Sequence, residues 1–216
     1  MREDGKYAFF KNQIENWWKT NKRIFPWRKR QSAWNLLVTA ILLRKTNADK
    51  VARHYNQILG KLNSPISTYN LKLSKIEDAL KPLGLHKSRA RQLKEASKII
   101  LEKYGGKIPD KLEELLKIPG VGMYTASVIL GMAYGKNIPI VDINVVRVMS
   151  RFFGLSKLTL EKASEMLMKM VGKDDATKIS LAIIDFSAKI CKARKPKCEN
   201  CPLTSRCKFS SATKNF

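Results

Sequence analysis

Two groups of residues in this 216-residue chain could do chemistry. The first begins I-P-G-V-G-M-Y-T-A at Ile118. Gly120 and Gly122 flank Val121, with helical runs on both sides. Glycine removes the Cβ that would hold an anion away, so such a turn can bring backbone N–H groups against a phosphate. The helix that follows would point its positive end at the same anion. Farther on comes V-D-I-N-V-V-R, with Asp142 at the edge of an apolar segment. A carboxylate there is costly unless it has a task. A phosphate-binding turn with a carboxylate nearby suggests chemistry on DNA; the plainer alternative makes Asp142 the N-cap of a helix beginning near Val145.

The second group is Cys191, Cys198, Cys201 and Cys207, spaced C-x6-C-x2-C-x5-C within 17 residues. Disulfides are not expected in a reducing cytosol. Four thiolates in so short a loop suit a tetrahedral zinc or an iron–sulfur cluster, and the spacing alone leaves both open. The basic run K-A-R-K-P-K between the first two cysteines could present charge to DNA.

The elements that must position these groups read as helices throughout. The periodicity predicts helices over Tyr7–Lys19, Ala33–Leu43, Ala48–Leu62, Ile76–Leu83 and His86–Tyr104. Others follow over 109–117, Met123–Tyr134, Val145–Phe153, Thr159–Val171 and Ala176–Ala188. Phe10, Ile14, Trp17 and Trp18 fall on one face of the first, and Phe25-Pro26-Trp27-Arg28 reads as a loop with buried aromatics. Strand-like alternation is nearly absent, so the expected class is all-α, in two helical lobes with a cleft. The expected division is a six-helix lobe at 25–135 with its hairpin at 118–123, a second lobe of 1–24 plus 136–190, and a cysteine loop at 191–207.

Lys and Arg number 42 against 18 Asp and Glu, giving a formal charge of +24 and a pI near 10.1. Charge of this size favours a polyanionic partner, through phosphate neutralisation and counterion release; a lysine-rich solvated surface is the alternative. No apolar run approaches the roughly 20 residues needed to span a bilayer. M-R-E-D-G-K-Y at the start lacks the apolar core of a signal peptide. A cytoplasmic, nucleoid-associated protein is expected.

Together these residues resemble the helix-hairpin-helix DNA glycosylase superfamily (HhH-GPD), in its iron–sulfur branch. That branch holds endonuclease III, the adenine mismatch glycosylases and the archaeal thymine mismatch glycosylases. The match runs from Phe25-Pro26-Trp27-Arg28 through I-L-L-R-K-T at Ile41 to the cysteine loop. The resemblance implies a 4Fe-4S cluster on the four cysteines and two lobes between which a flipped nucleotide is bound. The implied partner is double-stranded DNA carrying a mismatch, bound by a monomer.

Three positions sort the branches. Endonuclease III has a lysine two residues after the second hairpin glycine, which forms a Schiff base and allows strand cleavage; here that position is Tyr124. A phenol, with a pKa of about 10, cannot form an imine, so the resemblance points to a monofunctional glycosylase without efficient lyase activity. Adenine glycosylases place a glutamate where this chain has Ala40, to protonate adenine before it leaves. A pyrimidine can leave as an N1 anion, so Ala40 favours thymine or uracil. Archaeal thymine glycosylases also keep that glutamate, whereas an alanine there resembles the glycosylase domain of the methyl-CpG-binding mismatch enzyme. Finally, nine residues follow Cys207, too few for the 8-oxoguanine-reading domain that adenine glycosylases append.

The expected activity is removal of thymine or uracil from G·T and G·U mispairs in base-excision repair. The alternatives are an adenine glycosylase, an endonuclease III-like lyase, or a DNA-binding module without activity. By resemblance, Asp142 stabilises the oxocarbenium-like transition state and orients water, and Tyr124 lines the base pocket. Gly120, Val121 and Gly122 contact phosphate, and Asn144 holds sugar or water. Arg44, Lys45 and Thr46 fill the gap and read the orphan guanine. Arg147 is expected to fix local structure by an ion pair, and His86-Lys87-Ser88-Arg89 resembles a segment near DNA.

Overall fold

Apolar residues at helical spacing, with polar caps where each run begins, fold this chain into helices alone. The computed structural model describes residues 3–213, and no strand occurs among them. These residues divide into two compact units, one running Ile24–Lys136 and the other combining the chain up to Arg23 with the chain from Asn137 onward.

The Ile24–Lys136 unit opens on a stacked pair, Phe25 and Trp27, with ring centroids 4.6 Å apart around the 3-10 turn Pro26–Arg28. Helix α2 (Ala33–Leu43) starts at Ser32, whose hydroxyl accepts from Asn35 N. It is buried nearly all round and lies against α3 (Ala48–Lys61), α6 (His86–Tyr104) and α8 (Met123–Met132). Trp34 on α2 donates its indole N–H to Leu62 O at 2.7 Å, so its burial leaves no polar atom unpaired. Two short helices, α4 (Pro65–Asn70) and α5 (Leu73–Leu80), pack on α6.

Helix α4 lies outside the periodicity reading because it spans six residues. It forms through a reciprocal cap in which Ser64 and Ser67 each bond the other's backbone N–H, followed by Pro65 at the first position. With α7 (Leu112–Leu115) the unit holds seven α-helices. The expected helix at 109–117 contracts to that single turn.

The other unit is built from α1 (Glu3–Asn21), α9 (Ile143–Phe153), α10 (Leu160–Val171), α11 (Ala176–Lys189) and α12 (Lys208–Thr213). Phe10, Ile14 and Trp18 of α1 meet Val148, Phe152, Leu167, Ile183 and Phe186 in one core. Within it Asp185 is fully buried and accepts from Trp18 Nε1 at 2.8 Å and Arg23 N at 3.2 Å. These bonds fix the end of α1 against α11.

Trp18→Phe keeps the ring but withdraws a donor from the buried carboxylate. A stability loss of about 1–3 kcal/mol is expected in chemical denaturation; unchanged stability would show that Asp185 is satisfied without it.

Candidate DNA-processing site and iron–sulfur loop

The proline-glycine turn lies between α7 and α8, in the Ile24–Lys136 unit. Val121 N donates to Ile118 O at 2.9 Å, closing the turn, and the Val121 side chain is buried. Gly120 has φ +82°, a conformation side chains rarely adopt, and a Cβ there would stand 2.5 Å from Gln92 Cδ. The backbone therefore favours glycine at 120, and any side chain there would also have to displace the end of Gln92.

Gly122 differs. Its φ is −98°, and an added Cβ would meet nothing within 4 Å. It is the N-cap of α8 and offers no side-chain oxygen to the first N–H groups. The fold leaves that helix end bare. Tyr124 follows as the second residue of α8, about two-fifths exposed.

Arg44, Lys45 and Thr46 form the turn after α2. The Arg44 guanidinium donates to Gly120 O and to Gln92 Oε1, so it clamps the hairpin turn from behind. Lys45 is exposed, with φ +52°. Thr46 Oγ1 receives a bond from Arg89 at 2.7 Å. Ala40 is buried on α2, and the helix carries no acid.

Asp142 and Asn144 belong to the other unit. Asp142 is the N-cap of α9: its Oδ1 accepts from Asn144 N and Val145 N, each at 2.9 Å. Its Oδ2 accepts from Asn144 Nδ2 at 2.6 Å. Asn144 Oδ1 in turn accepts from Arg147 Nη1 at 2.8 Å, and Arg147 Nε donates to Cys191 O at 3.2 Å. Arg147 thus fixes local structure through hydrogen bonds to an amide and a carbonyl, where an ion pair was expected. Burial lowers its pKa, with Cys191 and Asp142 pulling the other way and Arg151 reinforcing the drop. The carboxylate is joined through two side chains to the first residue of the cysteine loop.

All four cysteines line one apolar cavity with Val148, Phe152, Phe186 and Leu203. Burial pushes the Cys198 and Cys201 thiols up, and at Cys198 the neighbouring Cys207 and Cys191 add to this. Such thiols ionise only when a cation offsets the cost, as iron does. Four thiols around one apolar cavity are the ligand set that a cluster takes. Arg151 braces the rim, donating to Lys192 O at 2.6 Å and Ala193 O at 2.9 Å and reaching Cys191 Sγ at 3.6 Å. The residues fit the cluster.

The sequence profile of the HhH-GPD superfamily of base excision DNA repair proteins matches residues 38–173. That of the iron–sulfur binding domain of endonuclease III matches residues 191–207. The chain belongs to the HhH-GPD superfamily. It carries the superfamily's iron–sulfur loop, with a 4Fe-4S cluster as cofactor. A thymine/uracil-DNA glycosylase of Methanothermobacter thermautotrophicus is 36% identical over 208 residues, spanning 94% of each chain. An endonuclease III of Thermotoga maritima is 32% identical over 84% of this chain and 85% of its own. The solved structure of a thermostable thymine-DNA glycosylase superposes with a TM-score of 0.92 at 34% identity, covering 97% of this chain and 98% of that one.

Leu85 escaped the sequence reading, and Arg89 entered it only within the segment His86-Lys87-Ser88-Arg89, with no buried role. Leu85 has φ +51° yet is a leucine, and it is 55% exposed. Arg89 is an arginine only 4% exposed. Neither conformation nor burial leaves a composition signal, although Gly84-Leu85 just before a helix marks the turn.

No helix among the described residues is long and apolar enough to cross a membrane.

Arg147→Ala should loosen the loop's first residue and speed iron loss to a chelator, from a starting content of about four irons per chain. Stoichiometric zinc without iron in the purified protein would overturn the cluster assignment. Iron loss no faster than in the unmodified protein would show that the Cys191 carbonyl does not need its donor.

Proposed function

We propose that this protein is a monofunctional DNA glycosylase that removes thymine or uracil mispaired with guanine, acting as a monomer on nucleoid DNA in base-excision repair. The observation that carries this is the end-to-end likeness to the thymine/uracil-DNA glycosylase, over 94% of both chains. Ala40 agrees with it, since no acid on α2 is available to protonate a purine.

In this reading the uncapped start of α8 takes a backbone phosphate, and the open space over Gly122 is where that phosphate approaches. Gly120 and Val121 shape the turn from behind, and Arg44 holds it there. Lys45 and Thr46 meet the orphan guanine and its strand. Leu85, exposed and apolar, enters the stack where the nucleotide has left.

The glycosidic bond breaks with its electron pair leaving on the base N1, and positive charge develops at C1′ and the ring oxygen of the sugar. Asp142 faces that charge. Three donors from Asn144 and Val145 occupy three of the roughly four acceptor positions of a carboxylate. One remains on Oδ2 to take the proton of the water that adds at C1′. Tyr124 bonds the flipped base or sugar and supplies no amine for an imine. The cluster holds the shape of the 191–207 loop, and through Arg147 that shape reaches Asn144 and Asp142.

Single-turnover release should occur on G·T and G·U duplexes, with strand breaks appearing only after alkali; borohydride should trap no protein–DNA adduct. Adenine release from A·8-oxoguanine, or alkali-independent cutting, would sink the assignment. Asp142→Asn keeps an equally good N-cap, so it should fold and bind duplex while losing at least about 10²-fold in release. Binding should weaken steeply with salt.

A further inference from the structure

Arg89 is the anomaly of the Ile24–Lys136 unit. It is the fourth residue of α6 and only 4% exposed. Its Nη1 donates to Gly84 O at 2.8 Å and Leu83 O at 3.3 Å. Its Nη2 donates to Arg44 O at 2.5 Å and Thr46 Oγ1 at 2.7 Å. Its Nε has no partner. Every acceptor is a neutral carbonyl or hydroxyl. Burial lowers its pKa, and the charge on Arg44 lowers it further. A buried cation without a counter-charge works against stability, and an apolar residue of like size would fill the space at less cost. Its return must be geometric.

The four acceptors come from two turns far apart in sequence. One is the turn after α2, holding Arg44, Lys45 and Thr46; the other is the turn before α6, holding Leu83, Gly84 and Leu85. Thr46 Oγ1 to Leu83 O, at 3.4 Å, is a thin direct link between them. Each turn contains a non-glycine residue in the left-handed region, Lys45 at φ +52° and Leu85 at φ +51°. Such residues persist only where their surroundings over-determine them. Both are exposed, one a cation and the other an apolar wedge. Strain, exposure and the shared brace coincide at these two residues.

We propose that Arg89 is a positioning residue that locks the two turns into one rigid jaw, presenting Lys45 and Leu85 together to duplex DNA. This rests on the glycosylase reading for what the jaw acts upon. Arginine suits the role because its planar fork carries donors to several acceptors at once, which a lysine ammonium cannot do in the same geometry. The jaw should matter for opening the stack and little for the step at C1′.

The test uses the full chain with its cluster and a duplex carrying 2-aminopurine beside a G·U mispair. Fluorescence reads unstacking without requiring any bond to break. Arg89→Lys keeps the charge and loses the fork. It should lower the unstacking signal, and lower the ratio of duplex to single-strand uracil release roughly tenfold, the scale of a lost positioning contact. Thr46→Ala, which removes one acceptor, should act in the same direction and less. Leu85→Ala combined with Arg89→Lys should lose little more than either alone, because coupled residues are not additive.

An unaltered duplex-to-single-strand ratio in Arg89→Lys and Thr46→Ala, with only thermal stability reduced, would assign Arg89 to the fold and overturn the proposal. Losses that multiply in the double variant would also overturn it. If the unmodified protein unstacks the mispair and Arg89→Lys does not, while neither releases a pyrimidine, the jaw stands and the substrate reading fails.

Discussion

A carboxylate at the start of a helix is ordinarily used up by that helix. Asp142 caps α9 with Oδ1, and the cap alone would explain its place in the sequence. What distinguishes it is Oδ2, which the Asn144 side chain holds, while Asn144 is held by Arg147 and Arg147 by the carbonyl of Cys191. The cap reading and the catalytic reading are therefore one arrangement. The bonds that cap α9 also fix the carboxylate's direction, and the same bonds connect it to the cysteine loop. A cluster with no redox task would still bear on the proposed role of Asp142, because the loop it ties down ends the chain of donors.

Excess positive charge shapes the rest. With a formal charge of +24, few cations can find acids. Ion pairs join Lys11 to Glu15 and Asp174, and Lys136 to Asp110. Within each unit, arginines bond carbonyls and amides instead: Arg44 to Gly120 and Gln92 in one, Arg147 to Asn144 and Cys191 and Arg151 to Lys192 and Ala193 in the other. Each fastens a loop through neutral acceptors. A chain of this net charge carries a potential that attracts a polyanion.

The helices with long apolar faces were legible in the sequence because burial of a stripe dictates them. Met123–Met132 and Ala33–Leu43 follow the expected runs closely. Where local caps and turns decide, the sequence was harder to read. The Ser64–Ser67 box makes a six-residue helix that has no room for a periodic pattern. Lys81 and Pro82 divert the end of α5 into a 3-10 turn, and the run at 109–117 keeps only one turn of helix. At the site, motifs marked Asp142, the glycines and the cysteines, since chemistry restricts residue type there. The burial of Arg89 and the backbone angle of Leu85 were invisible, because one sequence displays neither. The two hairpin glycines look alike in sequence, yet the backbone favours glycine only at Gly120.

Ala40 bears on how such a site could choose its base. Within α2 it is buried, and its neighbour Thr39 spends its hydroxyl on Asn35 O at 2.6 Å and on Tyr55 at 3.3 Å. Burial raises the Tyr55 pKa, so the phenol stays neutral. No proton donor stronger than a hydroxyl is on that stretch of helix. A site of this kind cannot assist a leaving group that must be protonated first, whereas a pyrimidine leaving as an anion needs only donors to the developing charge. Selectivity against purines would then come from a missing acid, and damage that weakens stacking or pairing lowers the cost of bringing the base to that site. The rate would rest on how firmly Asn144, Arg147 and the loop behind them aim Asp142.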